Sequence, residues 1–413
     1  MAKHQKTTSL ESPNQKAIRR LLKNKPAVFG IFVIGLAVVI AIFGYILAPD
    51  STPDANNQIT ELAFKNPGFQ IKIIEIRKNQ IQVQSGFLKK ILFGEPNKSQ
   101  HIPINNFYYQ NDSIIVEIYN GENEKGELII GVKKGYNLAD VVYPVSKIEQ
   151  DAIQKNNEII YYDLNNFKHK ANVQELQDRI NNEYIYRRSF PLGTDKYGRC
   201  MLSRLILGVR ISLLVGLIAV AISLSIGIIL GALAGYFGGK IDDLIVLIIN
   251  TVWSIPTLLL VFAIVLALGK GIGIIFLAVG LTMWVEVARI VRGQVLSLKE
   301  IQFIEAAQSM GLGHWRIIEK HILPNILGPV MVVAAANFAT AILIEAGLSY
   351  LGFGIQPPTP SWGTMLNENY GLAIGGKPLL AIIPAIAIML MVLAFNLVGN
   401  GFRDALDVKT ETK

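Results

Sequence analysis

The sequence has few of the residues that build metal centres or catalytic sites. It contains one cysteine, Cys200, in 413 residues. A single thiol excludes an intrachain disulfide framework and any cysteine-based metal site within this chain. Five histidines are present but show no metal-ligand spacing: His4, His101, His169, His314 and His321. With no acid pair in a candidate site, we expect no metal, no cofactor and no catalytic residues.

One glycine-containing segment, 371–377, has the spacing of a phosphate-binding loop. Pro378 stands where a Ser or Thr would hold magnesium, and no strand is predicted before the segment. We interpret the match as chance. The chain is therefore not expected to be an enzyme or to hydrolyse nucleotides.

Apolar residues are abundant. They make up 51% of the chain, only 17% of residues are charged, and the mean hydropathy is +0.39. A bilayer core requires about 20 apolar residues in one helix. Six runs fit this length, at 27–47, 211–236, 244–268, 272–288, 326–345 and 378–402. These runs predict an all-α polytopic membrane protein with six transmembrane helices.

Basic residues near the spans predict the orientation, because Lys and Arg are retained on the cytoplasmic side. Five of them precede the first span: Lys16, Arg19, Arg20, Lys23 and Lys25. Six spans then return the C-terminus to the cytoplasm, and the basic loop between spans four and five also lies there. The net charge of +8 is thus explained by topology, and we expect no nucleic-acid partner.

Residues 48–188 differ in composition and predict a separate, mostly β extracytoplasmic domain. Apolar and polar residues alternate at 69–73 and 80–83, and Asn120–Gly121 has the form of a hairpin turn. Asn172 and Glu175 have capping-box spacing before a short helix. Two roles stay open for this insert: it docks a partner or substrate, or it is a spacer.

The next segment carries a specific resemblance. The sequence PLGTDKYGR at 191–199, followed by Leu202, Ser203 and Arg204, resembles the start of the membrane module in the second permease subunit of dipeptide, oligopeptide and nickel ABC importers. The apolar residues 202, 205 and 206, with Arg199 and Arg204 opposite, predict an amphipathic stretch along the outer membrane surface.

The loop 289–325 predicts a helix, a turn and a second helix. Glu305, Ala306 and Ala307 favour helix, Gly311 permits a reversal, and Trp315, Ile317 and Ile318 give the second helix an apolar face up to Pro324. This pattern resembles the coupling element of ABC importer permeases, which binds the ATPase subunit. The resemblance carries the coupling role to six residues: Glu305, Ala306, Ala307, Gly311, Leu323 and Pro324. Arg289 and Arg292 are expected to meet lipid phosphates or Glu286.

Two further residues are candidates for the translocation pathway. A carboxylate in hydrocarbon costs about 3 kcal/mol, so Glu345 either lines the pathway or pairs with a polar neighbour. Trp362 follows a proline-rich segment and either contacts a binding protein, plugs the entrance or anchors at the interface. Ser223, Gly227, Gly231 and Gly235 recur every four residues in the second span and predict close helix packing. This packing lies within the subunit, or it serves a subunit interface or gating.

Together these observations predict five regions: a cytoplasmic segment 1–26, a first span 27–47, the insert 48–188, a permease module 189–408 and a tail 409–413. The resemblance implies a permease subunit of the bacterial inner membrane, most simply for peptides. It also implies three kinds of partner: a second permease subunit, two ATP-binding subunits and an extracytoplasmic binding protein. Nickel or another solute, a complex that transmits motion without import, and a membrane enzyme are the alternatives.

Overall fold

The computed structural model describes residues 13–81, 86–122, 128–149 and 157–406. The chain forms two compact units. The helical unit comprises Met1–Ala41, Gly208–Asn367 and Ile382–Lys413. The β-rich unit comprises Ile42–Leu207 and Glu368–Ala381. The predicted tail 409–413 lies outside the described residues.

The described helices are, in chain order, α1 (Pro13–Lys23), α2 (Lys25–Leu47), α3 (Phe87–Phe93), α4 (Leu138–Val142), α5 (Val173–Arg179), α6 (Met201–Phe237), α7 (Gly239–Trp253), α8 (Thr257–Leu268), α9 (Ile272–Lys299), α10 (Gln302–Ser309), α11 (His314–Ile317), α12 (Leu323–Tyr350), α13 (Trp362–Ile374) and α14 (Leu379–Leu406). The strands are β1 (Phe69–Arg77), β2 (Ser99–Gln110), β3 (Ser113–Ile118), β4 (Lys133–Asn137), β5 (Val145–Glu149), β6 (Glu158–Asp163), β7 (Lys168–Asn172) and β8 (Ile185–Phe190).

Five helical stretches in the described chain are long and apolar enough to cross a membrane. They are α2, α6, α9, the stretch His314–Tyr350 and α14. The helices α7 and α8 pass the same test only as a pair. The prediction of six membrane segments is therefore confirmed if this pair is one broken span.

The third predicted span is not one continuous helix. α7 and α8 are bent by 88° at the break between them. Pro256 caps the start of α8. Its ring fixes φ and removes the backbone N–H that would continue the α7 ladder, so the helix stops and restarts here. The span predicted at 244–268 is therefore two helices, and the break lies at the proline within it.

The small residues of α6 pack against α9 inside the helical unit. A Cβ at Gly227 would lie 2.5 Å from the Val287 side chain, and one at Gly231 would lie 2.5 Å from the Ala288 carbonyl oxygen. The two backbones thus approach too closely for any side chain at these positions. The described contacts of these small residues favour packing within the subunit over a subunit interface.

The β-rich unit contains two antiparallel sheets. The five-stranded sheet has the order β4-β3-β2-β1-β8 and the three-stranded sheet has the order β5-β6-β7. Alternating apolar residues of β1, such as Ile74 and Ile76, enter a core closed by α4 and α5. Asn172 caps α5, where its side chain accepts a hydrogen bond from the Gln174 amide at 2.8 Å. The mostly β character predicted for the insert is confirmed by these strands.

The tight hairpin lies at a different place from the one predicted. Asn111 and Asp112 form the two-residue turn between β2 and β3, and Asn111 has a φ of +54°. Asn tolerates this left-handed conformation. Asn120–Gly121 instead begins a long connection to β4, so its prediction as a hairpin turn is wrong. The strand predicted at 80–83 lies partly outside the described residues, and residues 80 and 81 are not in a strand.

Candidate functional site

The segment between α9 and α12 forms a compact helical reversal. The helix α9 continues past the predicted span end at 288 to Lys299, and α10 follows after Ile301. We call residues 300–322 the coupling segment. The predicted helix, turn and helix are thus present, although the segment that leaves the span is shorter than 289–325.

A glycine-dependent cap produces the reversal after α10. The Gly311 amide donates to the Gln308 carbonyl at 2.9 Å, and the Leu312 amide donates to the Ala307 carbonyl at 3.2 Å. This hydrogen-bond pair is the Schellman motif, whose penultimate residue takes a left-handed conformation. Gly311 has a φ of +74°. Only glycine adopts this value without steric cost, which gives the predicted turn residue its physical reason.

One face of the coupling segment is buried in the helical unit. Ile304 and Ala307 of α10 and Ile317 and Ile318 after the turn are all buried. They pack in one cluster with residues of α6, α9 and α12, including Val291. Because this cluster is continuous with three long helices, a displacement of the segment would be transmitted to them as a rigid movement.

The opposite face is exposed and partly apolar. Met310 is 74% exposed and Trp315 is 68% exposed. Glu305, Ala306 and Gly311 are exposed beside them. The sequence groups Trp315 with Ile317 and Ile318 on one apolar face, but only the two isoleucines are buried. Exposed apolar side chains of this size, next to a carboxylate, are typical of an interaction surface.

The second helix does not end at Pro324. A five-residue π-helical turn, Ile318–Ile322, leads directly into α12, and Pro324 lies in the first turn of that helix. A proline is tolerated there because its missing amide would have no partner in the helix. The predicted end of the helix at Pro324 is therefore wrong. Leu323 is partly buried and Pro324 is exposed.

Polar contacts fix the coupling segment and the end of α9 to neighbouring helices. The Tyr236 hydroxyl lies 3.0 Å from Nδ1 of His314, and Lys299 Nζ donates to the Tyr236 carbonyl at 2.9 Å. Arg292 forms a bidentate pair with Asp242 at 2.5 and 2.7 Å. Arg289 lies 3.5 Å above the Trp253 ring. Residues of α7, and not Glu286, are thus the partners of these arginines, while their contact with lipid phosphates stays a prediction.

Glu345 is fully buried in α12. Its Oε1 accepts a hydrogen bond from the Ser349 hydroxyl at 2.7 Å. Ser349 also accepts from the Ile355 amide at 3.1 Å and lies 3.4 Å from the Ser361 hydroxyl. This network ties α12 to the connection that leads into α13. Of the two roles considered for Glu345, the described contacts show a polar pairing.

Trp362 begins α13 and is buried. Its ring packs against Gly208, where an added Cβ would lie only 2.9 Å from the ring. Contact with a binding protein and anchoring at the interface both need an exposed ring. The buried ring of Trp362 does not fit these two roles, and the third, plugging of the entrance, stays a prediction.

A buried group of four charges was missed from the sequence. Arg199 Nε lies 2.6 Å from Asp195 Oδ2 and Arg199 Nη2 lies 2.8 Å from Glu368 Oε2. Arg204 lies 3.7 Å from Asp195 and 3.4 Å from Glu368. We call these residues the charge quartet.

Burial of this quartet contradicts the predicted surface stretch, because both arginines are at most 1% exposed. Buried charges are stable only when they are paired, and here two cations meet two carboxylates. The spacing of Asp195 and Arg199 by four residues is a signal that was available in the sequence. Glu368 gave none, because 164 residues separate it from Arg204.

Residues 227–412 match the family described as binding-protein-dependent transport system inner membrane component, and residues 12–67 match the N-terminal transmembrane domain of oligopeptide transport permease C. A glutathione transport system permease protein of Pectobacterium atrosepticum is 42% identical over 221 residues, which is 54% of this chain and 73% of that protein.

A dipeptide transport system permease protein of Bacillus subtilis is 42% identical over 217 residues, which is 52% of this chain and 68% of that protein. Among solved structures, a methionine ABC transporter in an inward-facing conformation aligns over 50% of this chain and 98% of the solved chain. The TM-score of that alignment is 0.42 at 21% identity.

Proposed function

Because this chain belongs to the dipeptide and oligopeptide permease family of ABC importers, we propose that it transmits ATP-driven motion from separate ATPase subunits to a translocation path for short peptides. The observation that carries the proposal is the two-sided coupling segment. One side is buried against three long helices and the other is exposed and apolar.

The exposed side is the docking surface for an ATPase subunit. Met310 and Trp315 supply apolar area, and Glu305 supplies a charge that sets orientation. An interface of this kind takes most of its affinity from a few large anchors. The Schellman turn holds Met310 and Gly311 at the tip, so a movement of the partner acts on the tip rather than on a flexible loop.

The buried side transmits that movement. Ile304, Ala307 and Ile317 share one packed cluster with α6, α9 and α12. Closely packed interiors transmit displacement instead of absorbing it. Closure of two ATPase subunits thus changes the access of the cavity between this chain and a second permease subunit.

This assignment requires the coupling segment on the cytoplasmic side. We place both termini there and the insert 48–188 outside, in the inner membrane of a bacterium. The basic residues before the first span support this orientation. An external binding protein then delivers substrate to the outer side, where Glu345 and Trp362 border the connection next to the path.

Peptides are the proposed substrates because two relatives are named for glutathione and dipeptide transport. Uptake competition in a deletion strain with dipeptides, longer peptides and nickel tests this class. Inhibition by nickel alone would refute it. A Glu345→Gln chain with an unchanged preference for free over N-acetylated peptides would remove the substrate role from that carboxyl.

The docking surface is tested with Met310→Asp. The variant is expected to lose substrate-stimulated ATPase activity in the assembled transporter while the chain stays folded, since Met310 is exposed. The matched control is Ile130→Asp, which places the same charge at an apolar residue that is 85% exposed in the β-rich unit. Full stimulation in Met310→Asp, or equal loss in both variants, would contradict the assigned surface.

A further inference from the structure

The short helix α3 exposes the apolar side chains that a helix normally buries. Its sequence is FLKKILF, and none of its seven residues is buried. Phe87 is 73% exposed and Phe93 is 63% exposed. Leu88 and Leu92 are exposed beside them. An apolar patch of this kind on a surface marks contact with a membrane or with another protein.

The contacts of the residues that follow α3 distinguish between a membrane and another protein as the partner of this patch. The chain turns at Gly94, whose φ is +75°, and the Glu95 amide donates to the Ser51 carbonyl at 2.9 Å. A Cβ at Gly94 would lie 2.5 Å from that carbonyl and 2.8 Å from the Tyr45 ring. The C-terminal end of α3 is therefore held against the last turn of α2 and the residues that follow it.

The last turns of α2 are themselves apolar and exposed. Phe43, Ile46 and Leu47 are exposed here, in a helix long and apolar enough to span a bilayer. Such side chains contact acyl chains. Because Gly94 packs at the end of this surface, α3 lies at the depth where hydrocarbon gives way to headgroups.

The polar groups around α3 fit the same depth. Lys90 pairs with Glu95 at 2.9 Å, and Lys98 pairs with the same carboxylate. Lys89 is exposed between the apolar residues. Lysines at this depth extend their ammonium groups towards lipid phosphates while their stems stay in the apolar layer. The Tyr45 ring, beside Gly94, is of the type enriched at membrane interfaces.

We propose that α3 anchors the β-rich unit in the bilayer, with Phe87, Leu88 and Phe93 inserted into the acyl layer at the end of α2. The occupant of the exposed face is lipid rather than a protein. The anchor fixes the inserted domain close to the membrane surface. It rests on the membrane character of α2 and not on the transported substrate.

The test places an environment-sensitive fluorophore on Phe93→Cys in the full-length chain with Cys200→Ala as background. Cys200 is the single native cysteine. The labelled protein is reconstituted into phosphatidylcholine and phosphatidylglycerol vesicles, with and without bromine on the acyl chains, and with iodide on both sides. Strong quenching by the brominated lipid and weak quenching by iodide are expected.

Phe167→Cys is the matched control. Phe167 is also a phenylalanine of the β-rich unit and is 66% exposed, and it lies in the turn between β6 and β7. Its probe is expected to respond to iodide and not to brominated lipid. If the probe at 93 responds to iodide as strongly as the control, the helix lies in water and the proposal is overturned. Quenching by neither agent would show cover by protein and would overturn it equally.

The readout does not involve transport. A chain whose probe at 93 sits in lipid but which imports no peptide would refute the proposed function alone, and the reverse result would refute the anchor alone.

Discussion

Removal of one carboxylate from the charge quartet should destabilise the β-rich unit far more than removal of a surface carboxylate. Glu368→Gln keeps the size of the side chain but leaves two buried arginines facing one acid. Arg199 Nη2 loses an anionic partner at 2.8 Å and Arg204 loses one at 3.4 Å. All four side chains are nearly inaccessible to water, so solvent does not compensate the charge.

The expected cost is about 3–5 kcal/mol, the range for breaking a buried ion pair from one side. Arg204→Gln combined with Glu368→Gln restores a neutral group of Asp195 and Arg199. The double variant should therefore be more stable than the sum of the single losses predicts, by about 0.5–3 kcal/mol for contacting residues. The same exchange at Glu158, whose pair with Lys170 is 3.2 Å long and solvent-exposed, should cost at most about 1 kcal/mol.

The measurement is equilibrium unfolding of the purified chain in mixed micelles of rising sodium dodecyl sulfate content, followed by circular dichroism. The four variants share one protocol, so differences in midpoint report differences in the free energy of unfolding. The reasoning is refuted if Glu368→Gln unfolds at the same midpoint as Glu158→Gln, or if the two quartet substitutions are simply additive.

Three further predictions concern the turn, the helix contact and the sheet. Gly311→Ala should cost about 1–2 kcal/mol of stability, because it places a Cβ in a left-handed conformation. Gly313→Ala is the control, since the φ of Gly313 is −62°. Equal losses in the two variants would contradict the Schellman assignment. Gly231→Ala should destabilise the chain, because its Cβ would lie 2.5 Å from the Ala288 carbonyl oxygen. The Cβ of Gly273→Ala meets nothing within 4 Å, so this variant should stabilise α9 by about 0.5–1 kcal/mol. The unfolding temperatures of the two variants must therefore move in opposite directions. The pKa of the Glu75 carboxyl lies below its usual value, first because of its hydrogen bond with His101 and also through one from Tyr186. This group therefore stabilises the fold above the unfolded pKa of about 4.3, and the stabilisation is lost as the pH falls through the lower folded pKa. Glu75→Gln should reduce the loss of stability at acid pH, and an unchanged dependence of stability on pH would contradict this prediction.

Features that depend on neighbouring residues were predictable from the sequence. The membrane helices follow from uninterrupted apolar runs, and the turn at Gly311 follows from a helix former, a glycine and a second apolar helix within about twenty residues. The cap at Asn172 was recognised for the same reason. In each case the residues that determine the conformation belong to one continuous stretch of the sequence.

Features that depend on distant partners were not predictable in this way. Arg199 and Arg204 have the spacing of a surface helix, and their burial requires Glu368, far along the chain, in addition to Asp195. Trp315 is exposed and Trp362 is buried, because helix orientation and the close approach at Gly208 decide which ring is covered. Pro324 was expected to stop a helix, but the π-helical turn before it changes the hydrogen-bond register so that the proline starts one.

The right-angled break between α7 and α8 has a consequence for every residue that follows it. With 15 and 12 residues, the two arms are about 22 and 18 Å long, so neither alone traverses a hydrocarbon core of about 30 Å. If the chain turned back at Ser254 and Pro256, the number of crossings would be odd, and residues 300–322 would face the same compartment as the insert. An even count, and with it the proposed location of residues 300–322 on the side of the membrane opposite to the insert, requires that α7 and α8 cross the membrane together.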